Sequence, residues 1–295
     1  MIPWPDDLVR DIAARRAIVF MGAGVSRNST GTGNKRPPDW IGFLTDGIKD
    51  ARSRSRLGAK DARALQGLVD QRDLLTVCDV LKSVLSATDF AALVRRAYLT
   101  PAYKPAQIHE YIWKLDCRIV LTPNFDQIYD GYALSVSGNS AIIKSYSDND
   151  LAETLRETGR VIIKMHGSVS SPHNLIFTRA EYAAARTRNR AFYSLIESLL
   201  RTSTFLFLGC GLDDPDIRML LENYTYDYEH SRKHYFVLPS DSLTTNILDV
   251  LAKSLNLEFL QYLPADHHKD LTISVKSLVQ KVELKRTEMG ATQTW

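Results

Sequence analysis

Seven short apolar runs constrain the fold of this chain more than any other feature of its sequence. They lie at residues 17–21, 118–121, 141–143, 161–165, 205–208, 235–238 and 257–260. Each is rich in Val, Ile, Leu or Phe and is bounded by turn residues, and most are separated by segments with helical spacing. A strand buried on both faces has no polar side to show, so it reads as a continuous apolar run. Such runs alternating with helices indicate a parallel sheet covered on both sides. The chain is therefore expected to be an α/β protein. Its expected helices include residues 192–200, after a turn at Glu181-Tyr182, residues 215–222, and residues 271–284, where Leu271, Val275, Leu278 and Val282 share one face.

The spacing of the runs is uneven in one place. Residues 22–117 hold several helical patterns and no strand, about three times what an ordinary βαβ unit takes. We expect one domain over residues 1–295, with a sheet-bearing core at 1–39 and 117–285 and a helical insertion at 40–116 packed beside the sheet. The insertion's helical patterns fall at 61–69, 74–85, 90–97 and 107–115, and only residues 286–295 lie outside predicted elements. An apolar content of 44% is enough for a real core, and a net charge of +3 is far from the basic excess of a protein held by phosphate backbones. Direct nucleic-acid binding is not expected. The one basic cluster, Arg52, Arg54, Arg56, Lys60 and Arg63, has no interleaved aromatic residues and reads as a solvated loop or, alternatively, as a contact for a nucleic acid or an acidic partner. Cys78, Cys117 and Cys210 are too far apart for a C-x-x-C zinc site or a disulfide framework. With an acidic N-terminus and no apolar stretch of about 18 residues, the expectation is a cytoplasmic protein without a membrane span.

The residues that carry chemistry stand where the runs end. The first run leads into Gly22-Ala23-Gly24-Val25-Ser26, where missing side chains and free N–H groups suit an approaching phosphate. A branched side chain at Gly22 or Gly24 is expected to block a nucleotide before it harms the fold. Arg27 stands where the third glycine of a dinucleotide fingerprint belongs, and no Gly-Lys pair is present for a P-loop. The second run ends in Thr122-Pro123-Asn124-Phe125-Asp126 and the fourth in Lys164-Met165-His166-Gly167-Ser168. Asn124 can orient a water or hydroxyl and His166 can move a proton near neutral pH; alternatively, Asn124 caps a helix over residues 125–132 and His166 is a core histidine bonded to a carbonyl. Both are expected at solvent-facing strand ends. The fifth run opens into Gly209-Cys210-Gly211, followed by Asp213 and Asp214, one or the other of which caps a helix beginning at Pro215. The adjacent pair His267-His268 precedes the last helix.

This ordered set resembles the sirtuin-like family: a Gly-Ala-Gly-x-Ser turn, a Thr-x-Asn-x-Asp loop, a His-Gly pair and a late glycine turn. It is most similar to a divergent bacterial branch that also shows Pro-x-Trp, here Pro38-Asp39-Trp40, Lys-x-His-Gly-Ser, here from Lys164, and Asp214-Pro215. The resemblance implies a Rossmann-like sheet and NAD as substrate. Because the two C-x-x-C pairs of the family's deacylases are missing, it also implies no zinc lobe and no metal. It implies an NAD glycohydrolase giving nicotinamide and ADP-ribose or a cyclised product, acting in defence against phage beside a HerA-type ATPase or an Argonaute. By the same resemblance Asn124 and His166 are catalytic, and Phe125 and Asp126 hold the nicotinamide carboxamide. Gly22, Ala23, Gly24 and Ser26 take the pyrophosphate, Gly209 and Gly211 lie along the adenosine, and Asp39 is a ribose-side candidate. A zinc-independent deacylase or ADP-ribosyltransferase, and a non-catalytic sensor of NAD or ADP-ribose, use the same residues. With little chain outside the predicted elements, control is expected from self-assembly into a homo-oligomer or from a partner.

Overall fold

The structure is a computed structural model, and it describes residues 1–212, 214–227 and 231–292. The helix α1 (Asp6–Ala13) precedes β1 (Ala17–Met21). Between β1 and β2 (Ile119–Thr122) come α2 (Ala23–Ser26), α3 (Trp40–Ser53), α4 (Ala59–Asp70), α5 (Leu74–Val84), α6 (Ala87–Tyr98) and α7 (Gln107–Lys114). The chain continues through α8 (Ile128–Val136), β3 (Ile142–Ser145), α9 (Leu151–Thr154), β4 (Val161–Lys164), α10 (Arg179–Arg188) and α11 (Arg190–Thr202) to β5 (Thr204–Leu208). It closes with α12 (Pro215–Asp227), β6 (His234–Pro239), α13 (Thr245–Ser254), β7 (Leu257–Tyr262) and α14 (Ala265–Thr292).

The seven strands make one parallel sheet in the order β3-β4-β2-β1-β5-β6-β7. All seven apolar runs are strands, and the fold is the expected Rossmann-like α/β type. The two faces are filled by alternate residues of the same strands. Ala17, Val19 and Met21 of β1 join Leu206 and Leu208 of β5 under α1, α7, α8 and α14. Ile18 and Phe20 join Phe205 and Phe207 under α10, α11, α12 and α13. Burying one such side chain fully contributes about 1.5–3 kcal/mol, so the central strands hold the two layers together.

Helices α3 to α6 have an apolar core of their own around Phe43, Leu44, Leu81 and Phe90. It is shared with the segment after β4: the Phe177 ring lies 5.7 Å from Phe43 and 5.0 Å from Phe90. Ion pairs add to this seam, with Arg179 2.7 Å from Asp79 and 3.0 Å from Asp73, and Lys82 3.2 Å from Glu181. Helix α7, by contrast, turns its Ile108 and Ile112 into the sheet layer beside α8 and α14.

Two local readings are corrected. Glu181-Tyr182 lies inside α10, whose start is a capping box: Thr178 accepts from the Glu181 amide while Glu181 accepts from that of Thr178. Helix α14 runs to Thr292, so residues 286–292 are helical, and residues 293–295 lie outside the described residues. The N-terminal segment carries α1, which buries Leu8, Val9 and Ile12, while the Trp4 indole donates to the Ser274 carbonyl at 2.8 Å. Among the described residues no helix is long and apolar enough to cross a membrane, and no group of three or more His, Cys, Asp and Glu could hold a metal ion.

Candidate active site

A pocket of about 770 Å³ opens at the carboxyl edge of the sheet. Parallel sheets place ligands at this edge, because neighbouring loops diverge where the strand order switches direction. Here the loops after β1, β2, β4 and β5 converge on it. Gly22, Ala23, Gly24, Asp39, Asn124, Phe125, Asp126, His166, Gly209 and Gly211 all line the pocket. Of the residues predicted for the site, Ser26 alone lies behind the wall, where it is buried.

The glycines are required by the protein itself. A Cβ on Gly22 would stand 2.5 Å from the Gly209 carbonyl oxygen, and one on Gly24 would stand 2.9 Å from Gly209 Cα. The turns after β1 and β5 thus pack backbone on backbone, and Gly209 additionally has a φ of +64°. Their amides are occupied: Gly22 donates to Leu208 O and Gly24 to Gly209 O, both at 2.9 Å. A side chain at either position would therefore damage the fold as well as the pocket, contrary to the expectation that binding fails first.

Ser26 ties two loops together. Its hydroxyl donates to Asp126 Oδ2 at 2.7 Å and accepts from Asn124 Nδ2 at 3.1 Å. With its one proton on Asp126, it has none for a phosphate. Asp126 Oδ1 accepts from the Ile128 amide at 3.0 Å. The group at the start of α8 is thus Asp126, and the helix begins at Ile128, so the reading of Asn124 as a cap is not realised. Lys164, buried, donates to the Asp126 carbonyl and lies 3.1 Å from Asp130 Oδ2, fixing the loop from below. Asn124 and His166 are both buried rather than solvent-facing, with 9% and 3% of their surface exposed. Both line the pocket.

His166 is set between two carboxylates. Its Nδ1 lies 3.5 Å from Asp214 Oδ2, and its Nε2 lies 3.3 Å from Asp216 Oδ2 without the alignment of a hydrogen bond. The Tyr182 ring makes a T-shaped contact with it, the ring centres 5.1 Å apart. Gly167, with φ +85°, turns the chain back so that the Ile176 amide donates to the His166 carbonyl at 3.1 Å. Burial opposes the charged imidazolium, but Asp214 and Asp216 outweigh it and hold the His166 pKa above its ordinary value. Burial pushes the Asp214 carboxyl up. At Asp216 the opposition of burial is overcome by the charge of the adjacent His166 ring and by hydrogen bonds from Tyr193 and Arg186, and its pKa is lowered.

Sequence reasoning treated Asp214 as a cap and passed over Asp216. Asp214 does cap α12, its Oδ1 accepting from the Asp216 and Ile217 amides at 3.0 and 3.1 Å, but its other oxygen faces His166. Asp213, its alternative as the cap, lies outside the described residues. The signal available was the Asp-Pro-Asp triplet itself, which places two acids in one helical turn beside a strand end. Also unforeseen are Arg27, Arg36 and Arg72 on the pocket wall, with Arg27 bonded to Asp39 at the start of α3.

The fold is of the Rossmann-like α/β class, and residues 118–260 match the family model described as a SIR2-like domain. That stretch holds Asn124, His166, Asp214 and Asp216 and leaves out β1 and α2 to α7. Over about half its length the chain is similar to proteins named NAD(+) hydrolase ThsA. The one from Acinetobacter baumannii (strain 532279) is 30% identical over 137 residues, covering 46% of this chain and 28% of that protein. Those from Bacillus cereus (strain MSX-D12) and Enterococcus faecium are 26% and 24% identical, covering 45% and 48% of this chain and 28% and 29% of theirs. The chain thus matches less than a third of the length of these three relatives.

Proposed function

We propose that this protein is an NAD glycohydrolase, cleaving the bond between nicotinamide and ribose to give nicotinamide and ADP-ribose or a cyclised form. The observation that carries the reading is the convergence of Asn124 and His166 on one pocket, within a domain whose relatives are named NAD(+) hydrolases. The chemistry asks little of the protein. Nicotinamide leaves as a neutral molecule from a cationic pyridinium, so the work is to hold the nucleotide in a reactive pose and to stabilise an oxocarbenium-like ribose.

In this reading Asn124, its Nδ2 committed to Ser26, offers Oδ1 to a ribose hydroxyl or to the attacking water. His166 manages the proton which that oxygen loses. Phe125 and Asp126 hold the carboxamide; each Asp126 oxygen accepts one bond within the protein and keeps a second lone pair. The turns at Gly22–Gly24 and Gly209–Gly211 form the wall along the pyrophosphate and adenosine, and Asp39 stands on the ribose side. The test is release of free nicotinamide from NAD by purified protein with no peptide present, lost in Asn124→Ala. Turnover that requires an acyl-lysine peptide or another acceptor would favour a deacylase or transferase, and binding without turnover a sensor.

We place this activity in the cytoplasm, where NAD is abundant, and in antiphage defence, with restraint supplied by self-assembly or by a partner such as a HerA-type ATPase. A partner that moves the insertion must work against the Phe177 anchor and the Arg179 ion pairs. It must therefore bind the open and closed states with different affinity. Expression alone and with the neighbouring gene product, followed by measurement of cellular NAD with and without phage, tests this. Full depletion by the lone protein at native level would rule out external restraint.

A further inference from the structure

The carboxylates around His166 differ in a way that assigns them different work. Asp216 is fully buried and accepts from Arg186 Nε and the Tyr193 hydroxyl, both at 2.7 Å, besides facing His166 Nε2. Asp214 has one oxygen tied to the two amides of α12 and one facing Nδ1, and it lies on the pocket wall. A neutral imidazole has one N–H and one bare nitrogen, so beside two carboxylates its bare nitrogen would meet an anion. The arrangement is satisfied only when a proton lies on each side of the ring.

We propose that Asp216 is a positioning residue that fixes the Nε2 side of His166, and that Asp214 is the pocket-side group sharing the proton at Nδ1, so that His166 and Asp214 accept the substrate's proton as a unit. The proposal rests on the NAD-cleaving reading for the identity of the proton donor. At rest one proton lies between Nδ1 and Asp214 Oδ2. During cleavage the carbon–nitrogen bond breaks with its electron pair going to nicotinamide, and the water oxygen bonds the ribose carbon. The proton lost by that oxygen becomes the second on the pair, leaving His166 as imidazolium and Asp214 as a neutral acid; it then passes to solvent. Two carboxylates whose surroundings push them apart, one anchored by donors and one poorly solvated, are the usual basis for separate ionic and proton-exchanging roles. The other groups beside the ring do not replace them: Tyr182 makes a T-shaped ring contact, and Arg186 is bonded to Asp216.

The experiment reads the ring directly. His166 is titrated by NMR in the full chain as wild type, Asp216→Asn, Asp214→Asn and Tyr193→Phe, and nicotinamide release is followed against pH in the same four proteins. Asn caps helices as well as Asp, so Asp214→Asn keeps the start of α12. Should Asp216→Asn fail to fold, Tyr193→Phe tests the same anchor. Expected is a downward shift of the His166 titration in both Asn variants and a smaller one in Tyr193→Phe. The acid limb of the rate profile should move with it, and kcat should fall about 10²-fold in Asp214→Asn with KM little changed. An unmoved His166 titration in both Asn variants, or wild-type turnover by Asp214→Asn, would overturn the relay. Shifted titrations in a protein that never releases nicotinamide would uphold the relay and remove the NAD reading.

Discussion

Replacing Gly24 by Ala tests whether the glycine turns exist for the protein or for its ligand. The added Cβ would stand 2.9 Å from both Cα and O of Gly209 and 3.2 Å from its carbonyl carbon, all backbone atoms that cannot rotate away. Carbon atoms pack at about 3.5–4.0 Å, so the two turns must part by roughly 0.6–1 Å. That lengthens the Gly24 amide bond to Gly209 O, now 2.9 Å, past hydrogen-bond range. Overpacking costs about 1–3 kcal/mol and the lost bond about 1 kcal/mol, offset by about 0.5–1 kcal/mol for removing a helical glycine. The net is a loss of about 2 kcal/mol. Gly67 in α4 is the control, because a Cβ there meets nothing within 4 Å, and Gly67→Ala should gain about 1 kcal/mol. Urea unfolding followed by circular dichroism measures both. If Gly24→Ala is as stable as wild type, or gains as Gly67→Ala does, the backbone-packing argument is wrong.

Asn124→Ala and His166→Gln should each lower nicotinamide release about 10²- to 10⁴-fold. Because His166 is buried between two acids, its variant should also lose stability, which thermal unfolding reads. Burial pushes the Cys78 and Cys117 thiols up to about 12 and raises that of Cys210 as well. Alkylation of the folded protein at pH 8 should therefore be about 10³-fold slower than that of a free thiol, and labelling at the free-thiol rate would contradict their burial. His234, buried and held neutral, has its pKa lowered to about 4. The unfolded chain then binds the extra proton first as pH falls, so this residue's contribution is lost from about pH 6.5 down to about 4, at about 1.4 kcal/mol per pH unit. His234→Asn keeps an acceptor for the Phe205 amide and should flatten that slope in urea midpoints measured across the window.

The sheet was readable because a parallel strand covered on both faces is apolar along most of its length, with polar residues such as Thr122 and Lys164 standing at the strand ends. Val161, Ile162 and Ile163 of β4 are all buried, and no polar residue could interrupt them. Helix α1 was hidden for the opposite reason. Its Leu8, Val9 and Ile12 are interrupted by Asp6, Asp7, Arg10 and Asp11, and the surface they pack on, α14, lies more than 250 residues away. The α7 pattern was visible, but sequence position alone could not say which of two neighbouring cores its apolar face would join; Ile108 and Ile112 chose the sheet.

The acid pair beside His166 shows where such reading stops. Preference for Asp at a helix start follows from a local need, the orphan amides of the first turn, and that need is met here by one oxygen of Asp214. A carboxylate has two oxygens, and nothing local says where the second will point. Its direction depends on β4 lying across β2 and β1 from β5, so that residues 48 positions apart in sequence, His166 and Asp214, meet at 3.5 Å. A satisfied cap thus conceals a second partner. The same holds for Ser26, where a phosphate-binding residue type in a glycine turn spends its hydroxyl on Asp126, a hundred positions away. In both places the residue type and its strand-end position were legible, while the role is decided by a partner that only the sheet order brings into reach.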